Sequence, residues 1–231
     1  YVPQIVESTQ GSVLAIDLRH WKWSDGKQWL QIVQHYPYGL KRNFVRDAEL
    51  KEVAADIEQL AGTELPYIRA DWFVFAASRP PLYSQLLQLP THLTELASQL
   101  NVPLDIAISD STAARAGFSQ SRVALQNRLV ERHESRFGAL WLSYDFAPRR
   151  GRADLIRYPL GPKSFEKSMA PFAFEHDVSQ ALFHLPNGLL AYFSADAQGA
   201  RSDNSLSVDI AYDSMAAAGT PATVTGVSCM R

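Results

Sequence analysis

The sequence predicts an α+β fold, with helices mainly in the N-terminal half and antiparallel strands and hairpins mainly in the C-terminal half. Amphipathic patterns of helical period lie before residue 101, and short apolar runs bounded by turn residues dominate after residue 138. Helices that gather early and strands that gather late favour α+β over a regularly alternating α/β fold. Because no repeat or linker interrupts the 231 residues, we expect one domain over 1–231.

Three segments carry helix signals. The strongest covers 47–61, where apolar side chains fall on one face of a 3.6-residue period, Asp47 can cap the first turn and Gly62 can end the helix. The pair Pro80-Pro81 predicts the first turn of a short second helix, since proline is tolerated there. Thr91 is the expected cap of a third helix.

The strand signals are apolar runs and one alternating segment. Pro186-Asn187-Gly188 separates two of the apolar runs and is a strong hairpin signal. In the last segment apolar and polar side chains alternate, which predicts a half-buried strand. The predicted strands are 13–18, 139–146, 181–185, 189–194 and 206–212.

Charge and hydropathy exclude some partners. The formal net charge of −2 gives no field that would attract nucleic acid, so we expect no nucleic-acid partner. The arginines at 149, 150 and 152 and the charged run Glu131-Arg132-His133-Glu134 are interpreted as solvated surface. No apolar run approaches the ~18 residues of a membrane helix, so we expect no transmembrane segment in this chain.

Catalytic and metal motifs are missing from the sequence. There is no nucleophile elbow, phosphate-binding loop or dinucleotide fingerprint, so an enzyme is the least expected class. His176, followed by Asp177, is the one histidine that we single out as a candidate cofactor ligand or base. The alternative is a loop histidine that is hydrogen-bonded to backbone, since neighbours on an extended chain point to opposite faces.

A tryptophan-rich segment near the N-terminus is the candidate ligand-binding surface. Trp21, Trp23 and Trp29 bracket a predicted turn at Asp25-Gly26. Amphipathic aromatic side chains suit a stacking platform for a polymer or a contact patch for a partner protein. Burial in the core is the alternative interpretation, because it is the commoner role of such residues.

The only cysteine, Cys229, stands close to the last residue, in the sequence Gly226-Val-Ser-Cys-Met-Arg231. Its position matches the first cysteine of a Cys-x-x-Cys-His motif, in which two thiols attach to haem and the histidine ligates iron. The second cysteine and the histidine would follow Arg231. Any cysteine near the end of a chain would fit this spacing, so the spacing by itself does not establish a haem motif.

Ordered blocks along nearly the whole chain carry a family resemblance. They are Arg69-Ala-Asp-Trp-Phe73, Ser78-Arg-Pro-Pro-Leu-Tyr83, Leu86-Leu-Gln-Leu-Pro90, Arg115-Ala-Gly-Phe118, Asn127-Arg-Leu129, Glu131-Arg-His133, Ser143-Tyr-Asp-Phe146, Pro159-Leu-Gly-Pro162, Phe183-His-Leu-Pro-Asn-Gly188 and Gly226-Val-Ser-Cys-Met230. In these blocks the chain resembles a family of large, mostly uncharacterised bacterial c-type cytochrome proteins of planctomycetes and proteobacteria. Where that family often has His-Asp-Gly-Gly-Glu, this chain has His176-Asp-Val-Ser-Gln180.

The resemblance implies a function beside haem. In that family the last block runs into a complete haem motif, so Cys229 would be its first cysteine and haem c the cofactor of the full-length protein. The chain would then be a fragment that ends inside or just before this motif, and no covalently attached haem is expected in the fragment itself. It also implies a periplasmic or cell-surface location and a redox partner, which is either another protein or a neighbouring domain. Electron transfer or redox sensing is then the expected role. The alternative is a haem-free binding module for a surface polymer, peptide or partner protein.

Overall fold

A computed structural model of the chain describes residues 4–8, 11–15, 27–37, 48–61, 68–104, 110, 112–119, 123–148, 151–162, 170–204, 208–216 and 219–229. The contacts of the chain group into two compact units, Tyr1–Ala77 and Ser78–Arg231. The predicted α+β class is confirmed, with most helices early and a five-stranded antiparallel sheet in the C-terminal half.

The described residues of the first unit form one antiparallel strand pair and three helices. Its elements are β1 (Gln4–Ser8), β2 (Gly11–Ala15), α1 (Lys27–His35), α2 (Ala48–Ala61) and α3 (Ala70–Ala77). The two strands pair antiparallel. The predicted helix over 47–61 is confirmed as α2, while its expected caps Asp47 and Gly62 lie outside the described residues. The predicted strand 13–18 is found in part, as the end of β2.

The second unit begins with two short helices and continues as a meander of strands. Its elements are α4 (Leu82–Leu86), α5 (Leu93–Gln99), β3 (Ala114–Phe118), β4 (Arg128–Ser135), β5 (Gly138–Asp145), β6 (Val178–His184) and β7 (Leu190–Asp196). Each strand pairs antiparallel with the next one along the chain, so the order in the sheet is β3-β4-β5-β6-β7. The helices predicted after Pro80-Pro81 and after Thr91 are confirmed as α4 and α5.

One face of this sheet forms the core of the second unit. Leu93 and Leu96 of α5 pack with Leu140 and Leu142 of β5 and Phe183 of β6 in a single apolar cluster. Antiparallel register places Leu140 opposite Phe183, so both side chains project to the same face. Burial of these aliphatic and aromatic side chains stabilises the helix–sheet packing, at roughly 25 cal/mol per Å² of apolar surface removed from water.

The hairpin predicted at Pro186-Asn187-Gly188 joins β6 to β7. The amide of Leu185 donates to the carbonyl oxygen of Leu189 at 2.8 Å, and Gly188 adopts a φ of +81° that glycine accepts without strain. The strands predicted at 139–146, 181–185 and 189–194 are likewise found as β5, β6 and β7, with shifted ends.

Two local predictions are wrong. His92, rather than Thr91, caps α5, because its Nδ1 accepts from the amide of Thr94 while its backbone is extended. In the described part of 206–212 no strand forms, and the chain makes single bridges from Ala211 to Ala124 and from Tyr212 to Ala222. These partners belong to separate segments, so no continuous ladder can form.

The prediction that the charged run at 131–134 is a solvated face is also wrong. It lies in β4, and side chains on a strand alternate between the two faces of the sheet. Arg132 and Glu134 are exposed, as predicted for the whole run, but Glu131 and His133 point to the core and are 1 % and 3 % exposed. The charged side chains therefore include a carboxylate inside the apolar core.

Helices in the described part of the chain are all too short or too polar to cross a membrane.

Candidate functional site

The carboxylate of Glu131 is the centre of a buried polar cluster. Its Oε2 accepts a hydrogen bond from the Tyr144 hydroxyl at 3.1 Å and lies 3.0 Å from Nε2 of His133. Leu129 lies opposite Tyr144 in the register of β4 and β5, so Glu131, His133 and Tyr144 all project to the core face. A carboxylate in this position needs such partners, since burying an unpaired charge is costly.

Arg115 supplies the balancing charge from β3. Its Nε lies 2.8 Å from Oε1 of Glu131, but the N–H is not aligned with the oxygen, so this contact is an ion pair without hydrogen-bond geometry. Its Nη2 donates to the carbonyl oxygen of Gly161 at 2.6 Å, and its guanidinium lies over the ring of Phe174. The arginine thereby connects the cluster to the loop that follows residue 158.

The polar side chains of the cluster are fixed by one another and are not accessible to solvent. Burial and the neighbouring Glu131 carboxylate raise the pKa of Tyr144 well above its usual value, so the hydroxyl stays protonated and remains a donor. Tyr144 and Glu131 are each 1 % exposed, so a reactant in solvent cannot reach them without a rearrangement of the core. Such a network favours a structural role.

The buried ion pair gives a testable prediction about stability. Glu131→Gln keeps the shape of the side chain but leaves the Arg115 guanidinium without its counter-charge, so we expect a loss of roughly 3 kcal/mol in the free energy of unfolding. Glu134→Gln on the exposed face of the same strand is the matched control, with an expected change under about 0.5 kcal/mol. Urea unfolding of both variants measures this, and equal losses would contradict the structural role.

His176 lies in the core just before β6. Its ring is 6 % exposed, its Nε2 is 2.8 Å from Oγ of Ser179, and it meets the Tyr144 ring edge-on at a centroid distance of 4.9 Å. Asp177 accepts a hydrogen bond from the amide of Ala147. The hydrogen-bond partner of His176 is thus a side-chain hydroxyl, whereas the alternative interpretation expected backbone. Ligation of a cofactor by Nε2 would require this bond to break.

Burial lowers the pKa of His176 from 6.5 to about 4. The unfolded chain therefore takes up a proton below about pH 6.5 that the folded chain does not, so folding stability falls as the pH drops from about 6.5 to about 4. Between about pH 7 and about pH 5 this histidine removes about 2 kcal/mol of stability. His176→Gln keeps a polar side chain without this titration, so the variant should lose about 2 kcal/mol less over that interval.

Urea unfolding of both proteins at the two pH values provides the measurement. Parallel losses in the two proteins would show that other groups cause the acid sensitivity.

The segment before Cys229 packs against the rest of the second unit. Oγ1 of Thr225 lies 2.9 Å from Oγ of Ser194 on β7, and both side chains are buried. Gly226 has a φ of +92°, and a Cβ at this position would lie 2.6 Å from the carbonyl oxygen of Ser78. A 3-10 helix, Val227–Cys229, follows directly. The polypeptide that leads to Cys229 is thus packed against the body of the unit.

Gly226→Ala tests this attachment. The substitution adds backbone strain and a clash with the Ser78 carbonyl, so we expect a loss of about 3 kcal/mol in the free energy of unfolding. Gly188→Ala is the matched control, because Gly188 also has a positive φ but has no atom within 4 Å of the added Cβ. Its expected cost is about 1 kcal/mol. Thermal unfolding compares them, and equal costs would show that the Ser78 contact is unimportant.

The tryptophan segment is described only in part. Trp21 and Trp23 lie outside the described residues. Trp29 lies on α1, where its side chain is half-buried, while Gln28 and Ile32 are the buried residues of that helix. Their role in ligand binding stays a prediction.

Sequence reasoning missed most of the buried cluster. The charge pattern predicts Glu131 and His133 on the surface, and Arg115 and Tyr144 stand out only as members of the blocks that carry the family resemblance. The alternation of β4 is the signal that could have found them, because it places Leu129, Glu131 and His133 on one face. In the described part of the chain no group of three or more His, Cys, Asp or Glu side chains is arranged to hold a metal ion.

Comparison with protein-family profiles, curated proteins and solved structures gave no match to this chain.

Proposed function

We propose that this chain is the part of an exported bacterial protein that packs beside a covalently bound c-type haem, in electron transfer or redox sensing. The observation that carries the proposal is the packing of the segment that ends in Cys229 against the rest of the second unit. Thr225 is hydrogen-bonded to Ser194, and at Gly226 the backbone passes so close to the Ser78 carbonyl oxygen that a Cβ would not fit. The resemblance along the rest of the chain is what suggests haem as the attached group.

The attachment would hold a group bound at Cys229 close to the protein. Cys229 is the third residue after Gly226, and the three residues Val227–Cys229 of the 3-10 helix span about 6 Å. Ser228 adds a local restraint, since its hydroxyl accepts from the amide of Val224 at 3.0 Å. The backbone at Cys229 is therefore close to the unit that contains the sheet.

The chain contains one of the two thiols that covalent attachment of a c-type haem requires. Cys229 supplies one thiol, and the second thiol and the iron-ligating histidine of a Cys-x-x-Cys-His motif would be the fourth and fifth residues counted from it. Bound haem would supply one-electron chemistry. This chain would exclude water from the haem and limit the access of solvent and other molecules to it. Such shielding changes the reduction potential of a haem. His176 is not needed for that task.

A redox partner protein, or a neighbouring domain of the same chain, would exchange the electrons. Because c-type haem is attached outside the cytoplasm, the proposal includes a periplasmic or cell-surface location. Neither inference depends on a particular partner.

The test is production of the natural gene product in a bacterial host that attaches c-type haem. The purified protein should show a pyridine haemochrome spectrum of the c type and a mass increased by one haem. In Cys229→Ala one thioether is lost, so its spectrum should shift toward that of a singly attached haem. Met230→Ala, one residue further on, is the matched control and should keep the wild-type spectrum.

A folded, haem-free product would contradict the proposal. In that case the haem-free binding module for a polymer, peptide or partner protein becomes the leading function. Its candidate residues remain Trp21, Trp23 and Trp29.

A further inference from the structure

One end of the sheet in the second unit is formed by four strand ends that lie side by side. β3 and β5 finish there, and β4 and β6 begin there. In the antiparallel register each residue of this row pairs with the next one: Phe118, Arg128, Asp145 and Val178. The loops 119–127 and 146–177 therefore both leave and rejoin the sheet at this end, which we call the loop end.

Large apolar side chains at the loop end are exposed to solvent. Ile156 is 95 % exposed, the largest fraction among the large hydrophobic residues that the structure describes. The other exposed apolar side chains in the row and its two loops include Phe118, Leu125 and Phe172. A single exposed apolar residue is ordinary, but several at one end of a sheet are typical of a surface that contacts a partner or a membrane.

Hydrogen bonds join the segments that contain these residues. Asn127, at the end of the first loop, donates from Nδ2 to the carbonyl oxygen of Ala153 at 2.8 Å. Within the second loop the amide of Leu160 donates to the carbonyl oxygen of Phe172 at 3.1 Å. The exposed apolar residues thus belong to segments that contact one another.

The backbone around Ile156 is a turn that Asp154 fixes. Oδ1 of Asp154 accepts from the amide of Ile156 at 2.9 Å and from that of Arg157 at 3.4 Å. The carbonyl oxygen of Asp154 accepts from the amide of Tyr158 at 2.8 Å. Leu155 packs against the apolar core, whereas the next side chain is exposed. Ile156 is therefore presented to solvent by a preorganised turn, which lowers the entropic cost of binding.

Two arginines lie beside this turn. The guanidinium of Arg152 lies 5.2 Å from the centroid of the Tyr158 ring, and that of Arg157 lies 5.6 Å from the same centroid. Over both loops the sequence contains seven basic and four acidic residues, a formal net charge of +3, whereas the whole chain has −2. The loop end is therefore complementary in charge to an anionic surface.

We propose that the loop end docks on the surface of a bilayer that contains anionic lipids. Ile156 enters the boundary between headgroups and acyl chains, while Arg152 and Arg157 contact lipid phosphates. A bilayer accommodates separate protruding side chains because its lipids can rearrange, whereas a folded protein partner would need a matching pocket for each one. This inference does not depend on haem, since every residue that carries it belongs to the loop end.

Co-sedimentation of the whole chain with lipid vesicles tests the proposal. The chain should sediment with vesicles of phosphatidylglycerol and phosphatidylcholine in equal parts, less at high salt, and should stay in solution with phosphatidylcholine alone. In Ile156→Ser the partition coefficient should fall about tenfold, because an apolar side chain no longer leaves water. In Arg157→Gln it should fall about fivefold, because one attraction to the anionic headgroups is lost.

Leu189→Ser and Arg136→Gln are the matched controls. Leu189 is 65 % exposed and Arg136 is also exposed, but both lie in turns at the opposite end of the sheet. Each control should change the partition coefficient by less than about twofold. Equal losses in the controls and the test variants would overturn the proposal, as would a chain that stays in solution with the anionic vesicles. Binding that Arg157→Gln weakens and Ile156→Ser does not would also overturn it, because the chain would then adsorb by charge without insertion.

Discussion

Glu131 imposes the constraint on which the rest of the second unit depends, because a carboxylate inside a sheet must be paired from several sides. Arg115 from β3, His133 from β4 and Tyr144 from β5 all converge on it. Arg115 also binds the carbonyl oxygen of Gly161, so the same charge organises a loop outside the sheet. Antiparallel register makes this convergence possible, since residues opposite one another share a face. A slip of one residue in β4 would turn the carboxylate to the other face and leave the guanidinium without a partner.

The opposite face of the sheet also contains a buried carboxylate that is paired with an arginine. Asp145 is fully buried and accepts two hydrogen bonds from Arg128, at 2.6 and 2.7 Å, and one from the Gln180 amide. Arg128 and Asp145 are direct partners in the register of β4 and β5. Each face of the central strands thus contains one buried carboxylate with an arginine from a neighbouring strand. Bidentate arginine pairs have strict geometry, so the two pairs together specify how β4 lies against its neighbours.

The segment that leads to Cys229 and the loop end of the sheet are held by different strands of this scaffold. The segment that leads to Cys229 is tied to β7 through Thr225, whereas the loop end is formed by β3, β4, β5 and β6. Rigid strands position both, which is how sites are usually held on a fold.

Local patterns in the sequence determined the helix α2, the hairpin at Gly188 and the α+β class, because apolar periodicity and turn residues act over a few positions. They could not determine that Glu131 is buried, since a run of four charged residues has the composition of a surface whatever face each side chain occupies. The same limit applies to 206–212, where an alternating pattern packs without a ladder because its backbone partners lie in separate segments. The loop end of the sheet was likewise decided only by tertiary structure. Its loops come from segments that are distant along the chain, and no local pattern records that they meet.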